Sequence, residues 1–544
     1  MSRVAWIDNA RFELAPAALL GQGGEAEVYD VGDGRVLKWW KPADHPDFAG
    51  DAAAQAAADH RIAAAPQRLA ALPGNLPAAV VAPCGLARSK KSGGAVVGYL
   101  MPRVTGTALH AYGEPRWRRE HPVEGAAVVA MLLALHDALA GLHRAGVVMG
   151  DCNDLNVLVD TAGTAPRVHL IDVDSYQHGA YVCAMFSERF VDPRLCAGTD
   201  LVPTRPHDRE SDWFAFAAMA FRTLLGVGPW GGVHAQQRTP AARALARTSA
   251  LVAGITYPRA ARPLATLPDD LLDVFRGIFE ADVRGGFPRG VLERLRLRRC
   301  SQCGDEHARL RCPTCQALAQ LPPVVVHGRL RHHPIAIGEV ALQTFEMGRT
   351  TRPVWLDGGT LMRATRLGPQ RIGSVLAQQT HAWCGAKLGV GFYRAGGFAV
   401  GFVFRPDGGV LDDRVELPKL RGQLVSASAA CGDDRAWLAL TMADVGRLST
   451  HIVVVDGRGK VLAAVIPTDV PWLPGLPGAV AAGPHLFVPT DAGVARLEII
   501  GGDLVQTRVF AETAALVSAG DRLALHPGGL DVIRRRDALR LHLS

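Results

Sequence analysis

The chain has 544 residues, of which 48% are hydrophobic and 20% charged, with a formal net charge of +7. These values indicate a folded soluble protein of two to four domains. The charge is mild for this length and the arginines are dispersed, so the charge allows acidic partners but does not indicate nucleic-acid binding, and we expect no nucleic-acid partner. The N-terminus lacks the apolar core of a signal peptide, and the longest apolar run, 126–142, is short for a membrane span of about 20 residues. We therefore expect a cytoplasmic protein without a membrane partner.

A glycine-rich stretch, LGQGGEAEVY at 20–29, precedes the predicted strand RVLKW at 35–39. Glycines between two strands let backbone N–H groups approach phosphates closely. Such a loop is by itself also typical of an ordinary hairpin. Lys38 follows the apolar Val36 and Leu37. That setting favours a role inside the fold over an exposed surface lysine.

Two further elements follow before residue 110. The alanine-rich segment 51–65 has high helix propensity. Asp51, Gln55 and Asp59 would share one face of that helix, because they are spaced four residues apart. The segment VVGYLMPRVTGTAL at 96–109 is typical of a strand that runs into a Pro- and Gly-containing loop.

The segment 146–175 carries the clearest chemistry. It reads as a loop, a strand, a turn and a second strand, with Asp151 five residues before Asn156 and Asp172 after an apolar run. Two carboxylates and an amide carbonyl suit a hard cation such as Mg²⁺, which often accompanies phosphate groups. The same layout provides a proton acceptor for phosphoryl transfer.

These pieces, in this order, resemble the catalytic core of protein kinases, in a variant form similar to that of atypical bacterial kinases with C-terminal accessory domains. Gly150-Asp151 with Asn156 resembles the catalytic loop, and Asp172-Val173-Asp174 resembles the metal-binding Asp-Phe-Gly. The resemblance implies an α+β bilobal kinase-like domain over residues 1–296, with an N-lobe at 1–104 and a C-lobe at 105–296.

The resemblance also implies individual roles. Asp151 would orient or deprotonate the substrate hydroxyl, Lys38 would contact the α- and β-phosphates of ATP, and Asn156 with Asp172 would hold Mg²⁺. Val28 would cover the adenine and Leu158 would lie beneath it. The other residues implied to surround the nucleotide are Gly21, Gly23, Gly24, Val36, Met101, Pro102 and Val104.

Four of the departures from the protein-kinase pattern concern charged groups. No glutamate occurs between Glu27 and Glu114, so the usual helix partner of Lys38 is missing; Asp59 is the first candidate replacement and Asp51 the second, unless both are solvated. Asn153 replaces a frequent lysine. Asp174 replaces glycine and would either recruit a cation or cap a turn. Arg194 stands where a glutamate usually follows Pro193. Later segments around Asp212 and Trp230 favour a protein kinase over a small-molecule phosphotransferase.

Residues 296–316 contain two C-x-x-C pairs, Cys300/Cys303 and Cys312/Cys315. This spacing predicts a tetrahedral zinc site with four thiolates and no open position, hence a structural ribbon at 297–320.

From 321 to 544, short apolar runs recur between Gly/Asp turns, which predicts an all-β domain. At about 40–45 residues per blade it would form a β-propeller of roughly five blades, with a β-sandwich pair as the alternative. Closure would pair Val324–Val326 with Leu539–Leu543, while His327, His332 and His333 would lie in a solvated turn.

The sequence therefore predicts a multidomain cytoplasmic Ser/Thr protein kinase that uses ATP and Mg²⁺ and contains structural Zn²⁺. Its C-terminal domains would recruit a protein substrate or signalling partner. A pseudokinase scaffold is the main alternative, because the helix glutamate is missing and the Asp-x-Asp motif is altered. A small-molecule phosphotransferase is a further alternative.

Overall fold

The architecture comes from a computed structural model. It describes residues 4–320, 330–335, 345–346, 354–357, 360–365, 368–374, 380–395, 398–406, 414–418, 420, 422–444, 447–468, 470, 473, 475–526, 528–534 and 537–542.

The N-terminal part is a seven-stranded antiparallel sheet flanked by one long helix. Its strands are β1 (Val4–Ile7), β2 (Ala10–Glu13), β3 (Leu19–Gln22), β4 (Ala26–Asp30), β5 (Arg35–Trp40), β6 (Gly85–Arg88) and β7 (Val96–Pro102). They lie in the order β2-β1-β6-β7-β5-β4-β3. The helix is α1 (Ala52–Ala70), and the Asp51 carboxylate caps its N-terminus by accepting from Ala54 N at 3.0 Å. The alanine-rich segment thus forms the expected helix, extended by one further turn.

The following part is mainly helical. It comprises β8 (Thr107–Ala108), α2 (Leu109–Tyr112), α3 (Pro115–Glu120), α4 (Gly125–Arg144), β9 (Val157–Asp160), β10 (Arg167–Leu170), α5 (Arg209–Leu225), α6 (Pro240–Leu245), α7 (Asp269–Phe279) and α8 (Arg289–Arg294). Helices α4 and α5 form the centre of one apolar core. The predicted helix at 126–142 is therefore present as α4.

Helix α4 is the one helix in the described part of the chain that is long and apolar enough to cross a membrane by length and composition. More than half of its apolar window is buried inside the structure. A buried core helix satisfies the same criteria, so a single helix of this kind is weak evidence for a membrane span.

A small cysteine-bearing unit comes next, with β11 (Arg298–Arg299), β12 (Glu306–His307) and α9 (Pro313–Gln320). It packs directly on the helical part. The Glu306 carboxylate accepts from Gly125 N, at the start of α4, at 2.7 Å. Arg309 donates two hydrogen bonds of 2.7 Å to Asp269, at the start of α7. These polar contacts attach the unit to the N-termini of two core helices.

The described residues from 330 onward form antiparallel strands in five sheets. The strands are β13 (Arg331–Ile335), β14 (Phe345–Glu346), β15 (Val354–Asp357), β16 (Thr360–Thr365), β17 (Gly368–Ser374), β18 (His381–Cys384), β19 (Gly389–Ala395), β20 (Phe398–Phe404), β21 (Arg414–Glu416), β22 (Gln423–Cys431), β23 (Arg435–Asp444), β24 (Arg447–Asp456), β25 (Val461–Val465), β26 (Val480–Ala482), β27 (His485–Thr490), β28 (Gly493–Ile500), β29 (Asp503–Phe510), β30 (Arg522–His526), β31 (Gly529–Ile533) and β32 (Ala538–His542). The predicted all-β region is therefore confirmed.

Sheet order in this region is β13-β32-β31-β30, β14-β18-β19-β20-β21, β15-β16-β17, β22-β23-β24-β25 and β26-β27-β28-β29. The last strand, β32, pairs with β13, so Pro334 lies opposite Leu539. The predicted closing partner of β32, Val324–Val326, lies outside the described residues, as does His327. His332 and His333 lie within β13 and not in a turn, because their backbones are paired with the C-terminal strand.

Candidate active site

A cavity of about 590 Å³ lies between the seven-stranded sheet and the helical part. Its volume is in the range of small-molecule sites. All of the predicted nucleotide- and magnesium-binding residues line it: Gly21, Gly23, Gly24, Val28, Val36, Lys38, Met101, Pro102, Val104, Asp151, Asn156, Leu158 and Asp172. The structure thus brings together residues that are far apart in the sequence.

Lys38 on β5 is paired with two carboxylates beyond the end of β10. Its ammonium group contacts Asp172 Oδ1 and lies 2.6 Å from Asp174 Oδ1. Burial alone would lower the pKa of Lys38, but the two carboxylates raise it well above its ordinary value. Lys38 is therefore a cation in the folded protein.

Asp174 is the buried anchor of this group, with a side chain that is only 8% exposed. Besides Lys38, it accepts hydrogen bonds from Trp40 Nε1 at 2.8 Å and from the Tyr99 hydroxyl at 2.9 Å. Burial would raise the pKa of Asp174, whereas Lys38 and the other donors lower it. Asp174 therefore neither caps a turn nor offers its oxygens to a metal ion in the cavity, because both oxygens accept hydrogen bonds from side chains on β5 and β7.

The expected pairing of Lys38 with helix α1 is wrong. Asp59 is exposed, and Asp51 caps the helix N-terminus. The carboxylates that contact Lys38 come from Asp172 and Asp174, both beyond β10. The charged residue of helix α1 that lines the cavity is instead Arg61. Its Nη1 atom lies 2.5 Å from Glu25 Oε1 in the glycine-rich loop.

The loop after α4 holds Asp151 between two asparagines. Asn153 Nδ2 donates to Asp151 Oδ1 at 2.9 Å, and Asn156 Nδ2 donates to the Asp151 carbonyl at 3.0 Å. The side-chain oxygen Oδ1 of Asn153 also accepts from Leu155 N at 2.9 Å. Asn153 therefore shapes the loop and carries no charge for a phosphate. Since the Asn156 amide nitrogen faces Asp151, its carbonyl oxygen is the atom suited to a metal.

Two physical features mark Asp151 and Asp172 as unusual carboxylates. Burial raises the pKa of Asp151 to about 6, although hydrogen bonds from Asn153 and Asn156 oppose the rise. Asp172 has φ = 71°, in the left-handed region that non-glycine residues seldom adopt. Such backbone strain clusters at ligand-binding and catalytic sites.

Asp212 on α5 fixes the backbone of the loop that carries Asp151. Its carboxylate accepts from Met149 N at 2.8 Å, from Gly150 N at 2.9 Å and from His143 Nε2 at 2.9 Å. Gly150 has φ = 73°, and a Cβ there would lie 2.6 Å from Cys183 Cβ. These contacts explain why glycine precedes Asp151.

Ion pairs fix the segment that follows the site. Asp192 is fully buried and accepts two hydrogen bonds of 2.7 Å from Arg284. The carboxylate that binds an arginine therefore lies two residues before Arg194, at Asp192, and Arg194 itself also pairs with Asp192. Burial would raise the pKa of Asp192, but Arg284 and Arg194 lower it.

The glycine-rich loop has supports that sequence reasoning missed. Lys41 is fully buried, and its ammonium group donates to the Gly23 carbonyl at 2.5 Å and pairs with Asp47 at 2.5 Å. On the outer side, a Cβ on Gly24 would lie 3.5 Å from Asp444 Oδ1. Residues of the β-rich region also line the cavity: Gly422, Gln423, Ala443, Asp444 and Leu448.

Four thiols meet in the small unit, as predicted. The Sγ atoms of Cys300, Cys303, Cys312 and Cys315 lie within 4.8 Å of one another. The Cys300–Cys315 separation is 3.8 Å and the Cys303–Cys312 separation is 3.4 Å. Zinc–sulfur bonds of about 2.3 Å in a tetrahedron place sulfurs about 3.8 Å apart. The donor set therefore fits Zn²⁺, and four thiolates leave no position for a substrate.

Comparison with known proteins gives consistent but partial matches. No family model matches the chain. It is 29% identical over 237 residues to "Protein kinase YegI" of Escherichia coli O157:H7, covering 40% of this chain and 33% of the relative. It is 29% identical over 216 residues to the protein of the same name in Escherichia coli strain K12, covering 36% and 32%. The matches thus span about a third of the length of these curated relatives.

Among solved structures, the Cydia pomonella granulovirus kinase PK-1 is similar to this chain with a TM-score of 0.34 and 14% sequence identity. The match covers 51% of this chain and 91% of the viral kinase. The curated relatives, together with the cavity residues described above, support an atypical protein-kinase-like protein.

Proposed function

We propose that the chain transfers the γ-phosphoryl group of ATP to serine or threonine hydroxyls of a protein substrate. The single observation that carries the proposal is the convergence of Lys38, Asp151, Asn156 and Asp172 on one cavity. Asn156 and Asp172 have the oxygen ligands that Mg²⁺ prefers. Bound Mg²⁺ would neutralise charge on the transferring phosphate.

Each protein group then has a defined task. Lys38, held by Asp174, would position the phosphates, while the apolar Val28, Val36 and Leu158 would enclose the adenine. Asp151 would orient the substrate hydroxyl and accept its proton. A pKa of about 6 leaves this carboxyl mostly ionised at neutral pH and yet more basic than an ordinary aspartate.

Transfer of labelled phosphate from [γ-³²P]ATP tests the proposal directly. The wild type should label itself or a generic acceptor protein, and phosphoserine or phosphothreonine should be found by mass spectrometry. Asp151→Asn should reduce the rate by about 10²- to 10⁴-fold, because it removes the proton acceptor without changing size. Asp273→Asn, at an exposed pair with Arg276 on α7, is the matched control. Equal labelling by wild type and Asp151→Asn would refute the catalytic assignment.

A pseudokinase scaffold is the second candidate. It is favoured by the uncharged Asn153 and by the lack of any contact between Lys38 and the acidic residues of α1 in the described structure. Nucleotide-dependent thermal stabilisation without turnover on protein or small-molecule acceptors would support this alternative. Phosphorylation of small molecules alone would instead indicate a small-molecule phosphotransferase.

We further propose that the β-rich region is a β-propeller that recruits a protein substrate or signalling partner in the cytoplasm. Support comes from the succession of antiparallel sheets and from the β13–β32 pairing, which joins the first described strand of the region to its last. One strand from each of four successive sheets also lies beside a strand of the next sheet: β22 lies next to both β18 and β26, and β26 lies next to β30. This is the arrangement expected around a central axis.

A further inference from the structure

Arg61, on the face of α1 that borders the cavity, has an unusual hydrogen-bonding state. One nitrogen, Nη1, donates to Glu25 Oε1 at 2.5 Å. The Nε and Nη2 atoms are buried and have no partner in the part of the chain that the structure describes. Buried guanidinium nitrogens are normally satisfied, because leaving them unpaired is costly. Two donors of a cavity-lining cation therefore remain available to an acceptor.

The other cations that line the cavity are already engaged. Lys38 is shared between Asp172 and Asp174. Arg189 uses both terminal nitrogens on Asp154, at 3.3 and 2.9 Å. Arg103 is paired with Asp30. A triphosphate brings several negative charges, and a cavity-lining cation with unpaired donors would add to the neutralisation that Mg²⁺ supplies.

We propose that Arg61 is a phosphate-binding residue for a nucleoside triphosphate and that Glu25 occupies this phosphate subsite when no nucleotide is bound. The inference rests on the proposed function. A guanidinium group forms parallel hydrogen bonds with a phosphate, for which the unpaired Nε and Nη2 atoms are suited. The Glu25 side chain is 39% exposed at the cavity, so it can move aside when phosphate binds.

This arrangement makes opposite predictions for the two partners of one ion pair. Arg61→Gln removes the phosphate ligand and should weaken binding of ATP. Glu25→Gln removes the carboxylate that competes for Arg61 and a like charge beside the phosphates, so it should strengthen binding of ATP. A purely structural ion pair between α1 and the glycine-rich loop would instead make both substitutions act in the same direction.

Isothermal titration of the full-length protein with ATP and with adenosine, both with Mg²⁺, tests the inference. Arg61→Gln should weaken ATP binding about 10- to 100-fold, the range expected for charge-assisted hydrogen bonds. Its adenosine binding should stay near that of wild type, because adenosine has no phosphate. Glu25→Gln should bind ATP more tightly and adenosine unchanged. Arg276→Gln, at an exposed pair on α7, is the matched control and should match the wild type for both ligands.

The possible failures are distinct. If wild type binds ATP while Arg61→Gln binds it equally well, the inference is wrong and the proposed function stands. Weaker ATP binding by Glu25→Gln would also overturn it, even if the Arg61 variant did not fold. If the wild type binds neither ligand, both the proposed function and this inference fail.

Discussion

Replacing Asp174 with asparagine would keep the size of the side chain and remove its charge. In the native protein this carboxylate accepts from Lys38, Trp40 and Tyr99 at 2.6, 2.8 and 2.9 Å. An asparagine can accept with one atom only, so its amide group would face at least one of these donors. The substitution therefore leaves a buried donor unpaired beside a buried ammonium group.

The magnitude follows from these contacts. Removing one partner of a buried ion pair costs about 3–5 kcal/mol, and an unsatisfied buried donor costs about 1–3 kcal/mol. These terms overlap, and Asp172 remains beside Lys38 to compensate in part. We expect Asp174→Asn to lower the free energy of unfolding by about 2–4 kcal/mol. The phosphotransfer rate should fall as well, because Lys38 loses the anchor that holds it.

Urea unfolding monitored by tryptophan fluorescence measures the effect, since Trp40 contacts Asp174 directly. The transition that reports the kinase-like part should shift to lower urea in Asp174→Asn, whereas Asp273→Asn, at an exposed site, should leave it in place. An unfolding curve of Asp174→Asn that overlays the wild type would refute the reasoning, because a buried charge cannot be removed from beside an ammonium group without cost.

Three other predictions follow from buried contacts. Asp192→Asn should cost about 3–5 kcal/mol of stability at pH 7, because it breaks a buried pair with Arg284. Folding lowers the pKa of Asp192, so the stability that its ionised carboxylate contributes is fully present above the ordinary pKa of aspartate and is lost as pH falls through the lowered pKa. The denaturation curves of wild type and Asp192→Asn should therefore converge in acid. A stability difference that does not change with pH would contradict this. Gly150→Ala should destabilise the protein by at least about 2 kcal/mol, because φ at this position is positive and the added Cβ would clash with Cys183. An unchanged melting temperature would contradict the positive φ and the close packing of Cys183 at this position. Cys303→Ser should remove bound zinc, measured by atomic absorption, and lower the melting temperature while ATP binding persists; loss of ATP binding would show that the ribbon and the cavity are one unit.

The sequence was sufficient to predict the residues of the cavity that match kinase motifs. Lys38, Asp151, Asn156 and Asp172 could be placed because the order and spacing of their motifs match one fold. The cysteine cluster was predictable for the same reason, since two C-x-x-C pairs restrict four sulfurs to one small volume. Helix α4 followed from a long apolar run.

The partners of these residues were harder to predict, because they depend on contacts between distant strands. Asp174 lies 136 residues from Lys38 in the chain, and its other donors lie on β5 and β7. Arg61 was not predicted, because the missing helix glutamate indicates a carboxylate on α1 and not a cation. A signal was present: Asp51, Ala54, Ala57 and Arg61 follow helical spacing, and all of them line the cavity. The small side chains of Ala54 and Ala57 leave room for the long side chain of Arg61.

A crystal structure with a non-hydrolysable ATP analogue and Mg²⁺ tests the central claim most directly. We predict the adenine between Val28 and Leu158, the phosphates beside Lys38, and the metal on the oxygens of Asn156 and Asp172. An analogue bound outside this cavity, or a metal that contacts neither Asn156 nor Asp172, would contradict the account.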